Sequence, residues 1–383
     1  MTVSIWNRRK PKETLQCDVA VIGAGICGLS VAIELELRGL SVIVIDRGSI
    51  GCGASTRNAG YLMRGTADSY VAAVREYGHD LARTMWRWTE ENLTILRQRV
   101  TGDAIENVPS ALVAQTDREL HDLVQSRQML QDDGFDVGWV ESGSDALWRS
   151  GLVRGMLVNP NDARCNSRMV VDTVASHLKG RILENAEVYD IVRTDRHMEV
   201  RAEGLHVQCS QVVHCTNAWA SGSILNRHIP IEPNRAQMLA IKAPEISLDF
   251  SYYLRGGADY IRCGPDGLVL VGGCRKEHER DEQTSLDQTT GPLQSDLHRL
   301  LTRTLGLTEP DVVARWSGIM AFTPDGLPVM GPVDHERRTW VCAGFNGHGM
   351  GLAARCAQAL IAEIVDGEPT PLPLSRFDHR VVV

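Results

Sequence analysis

Between residues 17 and 46 the spacing of apolar positions changes twice. "CDVAVI" (17–22) is a continuous, β-branched-rich run, as expected of a strand covered on both faces. After a glycine-broken hinge, Ile26, Leu29, Ile33 and Leu37 recur at helical spacing and predict a helix with one apolar stripe, closed by Gly39. "SVIVID" (41–46) is again continuous and predicts a second parallel strand. Further along, residues 71–99 keep helical periodicity without proline. Residues 110–135 read as a strand followed by a helix that opens at the capping pattern Thr116-Asp-Arg-Glu119. "QVVHCTNAWAS" (211–221) predicts a strand that ends in a turn. "IPIEPNRAQMLAIKAP" and "SYYLRGGADYIRCGPDGLVLVGGCR" predict antiparallel strands, and the charged stretch 276–290 a surface loop.

The chain has 383 residues. That exceeds the roughly 250 to 300 at which a single core stops growing, so two domains are expected. Forty Lys and Arg against 48 Asp and Glu give a net charge of -8, and no long basic run offsets it. This argues against a nucleic-acid or anionic-membrane binder. The first residues lack the apolar region of a signal peptide, and no apolar run approaches the roughly 18 residues of a transmembrane helix. Ten cysteines without a CxxC pair read as reduced core thiols, with no metal site, in a cytoplasmic protein.

The glycines at the hinge have the spacing GxGxxG. Gly23 permits the sharp turn, Gly25 the close approach of backbone to a pyrophosphate, and Gly28 the packing of helix on strand. The helix start beyond them, from Ile26, offers N–H groups and a positive dipole end to the phosphates. Asp46, 18 residues past Gly28, is placed to accept hydrogen bonds from a ribose diol. The motif alone leaves NAD and FAD both open. The next segment, "RGSIGCGASTRNAGYLMRG" (47–65), is glycine- and hydroxyl-rich, and can offer donors to a second length of cofactor.

With this loop the chain resembles the D-amino-acid oxidase superfamily of FAD-dependent amine oxidoreductases, the group that includes glycine, sarcosine and γ-glutamylputrescine oxidases. The likeness continues in "WSGIMAFTPDGLPVMG" and in "AGFNGHGMGLAARCAQALIAEIV", where Gly344, Gly347 and Gly349 permit a second tight turn into a helix. The resemblance implies an α/β fold with a Rossmann-like FAD domain (15–85, 150–225 and 315–379) and an inserted α+β substrate domain (86–149 and 226–314) built on an antiparallel sheet. It implies non-covalent FAD, contacted from the first block also by Arg47, Ser55, Arg57, Asn58, Ala59, Gly60 and Leu62. Val188 is expected to pass the adenine, and Asn217 and Trp219 to lie beneath the pyrophosphate. Gly318, His348 and Met350 are expected beside the flavin.

In this superfamily a C–H next to an amine nitrogen is oxidised by hydride transfer to flavin N5, and water hydrolyses the resulting imine. The expected partners are a small amine substrate and O2 or another electron acceptor. Three departures matter. Met320 stands where glycine and D-amino-acid oxidases place the arginine that grips a substrate carboxylate. Gly318 stands where sarcosine oxidase attaches flavin through a cysteine. Val269 stands where that enzyme has its oxygen-activating lysine, and the nearby Lys276 is expected to be solvated. Arg57, Arg255, Arg262 and Arg315 are the alternatives for holding an acid, set against a reading of each as a surface or phosphate-facing residue. His348, Tyr260 and Met320 are the catalytic candidates, with Tyr252 a further aromatic one; five Phe and seven Tyr argue against a rich aromatic cage for a quaternary ammonium. The expected activity is oxidation of a primary or secondary amine, most like γ-glutamylputrescine oxidase. The alternatives are an amino-acid or N-methyl-amino-acid dehydrogenase or oxidase, and a flavin-bearing subunit or silent scaffold.

Overall fold

The continuous apolar runs 19–22 and 42–45 become fully buried strands at the centre of a six-stranded sheet, as seen in a computed structural model that describes residues 13–66, 68–220 and 229–378. The extreme N-terminal stretch and the expected boundaries at 225/226 and 379 lie outside the described residues. The sheet order is Arg181–Leu183, Val42–Ile45, Val19–Ile22, Gln211–His214, Thr339–Ala343, Val329–Pro332. Strand Gln211–His214 pairs in parallel with both Val19–Ile22 and Thr339–Ala343, so an early and a late strand of the chain lie one strand apart. The helices that follow these two strands, Ile26–Leu37 and Gly349–Ile361, pack on each other.

That packing changes the expected helix. Almost every residue from Ile26 to Leu35 is buried, because the helix lies between the sheet and its C-terminal counterpart, whereas Leu37, assigned to the stripe, is 71% exposed. Gly39 closes the helix at φ +80°, with Leu40 N–H donating to the Leu35 carbonyl and Gly39 N–H to that of Glu36. The 71–99 segment is two helices, Tyr70–Tyr77 and His79–Arg99, broken at Gly78 (φ +81°). The Thr116–Glu119 capping box forms.

The second large sheet has eight strands, in the order Asp311–Phe322, Glu232–Lys242, Leu268–Gly272, Asp259–Cys263, Ser251–Leu254, Ser110–Ala114, Gly155–Asn159, Gly138–Val140. Strand pairing therefore joins residues 155–159 and 315–322 to this sheet rather than to the nucleotide sheet. One face carries Leu239, Ile241, Tyr252, Ile261, Val269 and Val271, in a core shared with the helix Gly291–Leu305. The opposite face meets the glycine-rich loops of the six-stranded sheet across a cavity.

Candidate active site

The cavity encloses about 600 Å³ and runs from the first strand's glycines to the second glycine turn. Gly23, Gly25 and Ile26 line it, and Asp46 stands at the end of the neighbouring strand. Asp46 accepts the Ala24 N–H at 2.7 Å and the Gly48 N–H at 2.8 Å, which fixes the carboxylate beside the turn. Ser55 Oγ accepts the Ile26 N–H at 2.9 Å, and a Cβ at Gly25 would stand 2.8 Å from that oxygen. At the same end the Arg47 guanidinium lies 4.1 Å from the Trp219 ring centroid, and Val188 lines the wall. Asn217, at φ +48°, accepts the Gly344 N–H at 3.3 Å and so ties the strand end at His214 to the C-terminal turn.

Arg57, Asn58, Ala59, Gly318, Gly347, His348, Gly349 and Met350, all singled out in the sequence, line the middle and far parts of the cavity. Four other expected cofactor residues stand behind its wall. A Cβ at Gly28 would lie 1.8 Å from the Gly23 carbonyl oxygen, and one at Gly60 2.3 Å from that of Cys165, so both positions serve backbone packing. Leu62 is buried in the core, and Gly344 abuts Thr323. The Arg57 guanidinium is engaged by Asp287 at 2.8 Å and by the Ser317 carbonyl.

Three tyrosines form the wall towards the eight-stranded sheet. Tyr61 and Tyr253 stack with centroids 5.0 Å apart, and Tyr260 meets each of them edge-on at 6.0 Å. Burial raises the pKa of each phenol, so all three stay neutral. Tyr252 is not among them. Alternation along the strand turns it to the opposite face, where its hydroxyl bonds Asp145. Low aromatic content thus conceals a converged cluster, because three of the seven tyrosines meet here. Met320 lines the cavity, while Val269 faces the helix-covered core.

His348 closes the far end and is the residue preceding the helix Gly349–Ile361. Its Nδ1 lies 3.1 Å from the Asn346 carbonyl oxygen, which can only accept, so Nδ1 carries the proton. Nε2 is then an acceptor, buried and without a hydrogen-bond partner. Burial lowers the imidazole pKa, opposed by the Asn346 contact and by Asp68, and the ring is neutral at pH 7.

The sequence reading missed several residues. Asn346, at φ +49°, donates to the Gly344 carbonyl at 2.6 Å and accepts the Thr323 N–H at 2.9 Å, which pins the second glycine turn. Asn92, fully buried on a distant helix, bridges the Met350 carbonyl and the Ala354 N–H. Arg275 and Lys276 both line the cavity; Lys276 is exposed, yet it belongs to the wall. Glu282, in the supposed surface loop, is wholly buried and paired with Arg235 at 2.8 Å. The ten cysteines are unpaired, but Cys52 is exposed on the cofactor loop rather than in the core. Among the described residues no cluster of metal ligands occurs, and no helix is long and apolar enough to cross a membrane.

These residues fit a flavin dinucleotide. Two helices begin at one cavity, a carboxylate terminates the second strand, glycines leave the walls bare, and a buried imidazole nitrogen at the far end lacks a partner. The comparisons agree. A profile of the DAO family, described as FAD dependent oxidoreductase, matches residues 18–363. Glycine oxidase of Geobacillus kaustophilus is 26% identical over 375 residues, 95% of this chain and 97% of that protein. Gamma-glutamylputrescine oxidoreductase of Escherichia coli is 26% identical over 399 residues, 96% of this chain and 86% of that protein. Among solved structures, glycine oxidase from G. kaustophilus gives a TM-score of 0.79 at 22% identity, covering 95% of this chain and 98% of that one. L-proline dehydrogenase from P. horikoshii also gives 0.79, at 20% identity, covering 97% and 100%. The two structures speak for the fold, and the family match spans most of the chain. The protein is therefore a member of the DAO family, an FAD-dependent oxidoreductase acting on amines or amino acids.

Proposed function

We propose that the protein oxidises the C–N bond of a primary or secondary amine, in the manner of γ-glutamylputrescine oxidase, with FAD held non-covalently. Bound FAD supplies a two-electron acceptor for the hydride from the carbon beside the nitrogen. The observation that carries the reading is the neighbourhood of His348. The cavity there joins a buried acceptor nitrogen to a wall of neutral tyrosines, with a thioether at the sheet register where an arginine would mark a small α-amino acid.

The chain's own residues orient the amine and exclude water. A neutral His348 Nε2 accepts a hydrogen bond from an amine N–H and so orients the nitrogen, while a neutral ring, unlike a carboxylate, brings no negative charge that would hold the amine protonated. Tyr61, Tyr253 and Tyr260 cover the reacting carbon with apolar ring faces. Gly318 has no side chain to attach a flavin, and a Cβ there would stand 3.1 Å from Arg57 Cβ. Asp46, Ser55 and Asn217 hold the ribose and pyrophosphate end.

The test is anaerobic bleaching of the purified yellow protein by a panel of amines and amino acids, followed by admission of air. Bleaching by primary or N-substituted amines, those that carry a carboxylate included, is the expected result. No bleaching by any amine, with flavin bound, would make the protein a scaffold. Fast recolouring in air identifies an oxidase, and persistent bleaching a dehydrogenase.

A further inference from the structure

The geometry points to Arg275 as an anion anchor for the substrate, so that the amine oxidised here carries a carboxylate. This rests on the proposed amine oxidation and names the class of amine. Met320 offers no charge, but Asn234 pairs with Met320 across the antiparallel strands, and directly opposed side chains share a face. Arg275 reaches that spot from the loop after Leu268–Gly272. Its Nη1 donates to Asn234 Oδ1 at 3.1 Å, and its guanidinium carbon lies 4.8 Å from the Phe322 ring centroid. Arg275, Met320, Phe322 and Tyr260 all line the cavity. A cation is thus delivered, from a neighbouring loop, to the register that lacks one.

Its charge is uncompensated. Arg57 pairs with Asp287, Arg235 with Glu282, and Arg255 with Asp259 and Glu277. Among the described residues no carboxylate lies within ion-pair distance of Arg275, whose one side-chain acceptor is a neutral amide. A half-buried guanidinium with most of its N–H groups unspent suits a planar, bidentate anion such as a carboxylate. Lys276 lines the same wall and adds to the positive potential. The turn that presents Arg275 is fixed: Cys274, at φ +54°, donates its N–H to Asp259 Oδ1 at 2.8 Å, and Asp259 is itself held by Arg255. The guanidinium is therefore placed before any ligand arrives, so little ordering opposes binding.

The test titrates the holoenzyme with acetate and butanoate, and in parallel with acetamide and butanamide, following the visible flavin spectrum and competition with an amine substrate. The carboxylates are expected to bind roughly 10- to 100-fold more tightly than the amides, as a charged hydrogen-bonded pair allows. Arg275→Met should erase this preference, and Arg275→Lys should keep part of it. For carboxylate-bearing amines the Met variant should raise KM more than it lowers kcat. Equal binding of acids and amides by the wild type would overturn the inference, and so would a preference that survives in a flavin-loaded Arg275→Met. If amines bleach the flavin but acids and amides bind alike, this inference fails and the proposed reaction stands. If no amine bleaches it, the reaction itself falls.

Discussion

The two large sheets that enclose the cavity are encoded in opposite ways. In the six-stranded sheet, strand, glycine turn, helix and terminal Asp46 follow one another within Val19–Asp46, so the parts of this first block that face the cavity belong to one short segment. In the eight-stranded sheet the cavity wall is drawn from Tyr253, Tyr260, Arg275 and Met320, and Tyr61 joins them from the cofactor loop. Which of these residues faces the substrate depends on strand register, because a shift of one residue reverses the face. A dinucleotide site can thus be specified by local geometry, whereas a substrate site on a sheet is specified by pairings formed over long sequence separations.

The strongest challenge to the local half of this contrast is Gly28→Val. With a Cβ only 1.8 Å from the Gly23 carbonyl oxygen, the helix cannot stay on its strand. We expect a loss exceeding about 4 kcal/mol and a colourless protein, checked by denaturant melts and flavin absorbance. A yellow, stable variant would end the claim that the turn is fixed locally. On the long-range half, Glu282→Gln leaves Arg235 buried against a neutral amide and should cost about 3–5 kcal/mol in a urea melt. Replacing both, as Arg235→Met with Glu282→Leu, should recover much of that loss.

The next effect depends on pH. Burial alone lowers the His214 imidazole to about 4, against an ordinary 6.5. As the pH falls, the unfolded chain takes up this proton first, so stability held above pH 6.5 is lost progressively down to about pH 4. Measured against His214→Gln, the wild type should lose up to about 3 kcal/mol more across that window, by the linkage between pKa and folding. A constant difference between the two curves would show that His214 charges without penalty.

Asn92→Ala removes the bridge between the Met350 carbonyl and the Ala354 N–H, and with it the tie from a distant helix to the cavity-facing helix start. A loss of about 2 kcal/mol is expected, with weaker flavin retention on dialysis. The smallest effect belongs to Ser55→Ala. Losing the acceptor for the Ile26 N–H should cost about 1 kcal/mol, read as a several-fold weaker FAD affinity. An effect at Ser55 larger than that at Glu282 would invert the ranking of the two sheets.

Much of the nucleotide half was legible in the sequence. The Gly39 helix end there and, in the other half, the Thr116 capping box depend on residues a few places apart, and both formed as read. The buried circumference of the first helix was not legible, because the C-terminal helix that covers its outer side lies more than three hundred residues away. For the same reason the charged stretch 276–290 read as a solvated loop: nothing local announces that Glu282 will meet Arg235 inside the protein.

By itself the sequence determined a glycine-hinged strand–helix junction followed by a strand-end carboxylate, since turn, dipole and carboxylate there are consequences of spacing along a single segment. Only the tertiary structure decided that Tyr253 rather than Tyr252 faces the cavity, that three tyrosines meet, and that Arg275 stands beside the uncharged Met320 position. Side-chain alternation gives every strand two equivalent faces, and the choice between them is made by the helix Gly291–Leu305 that packs on one.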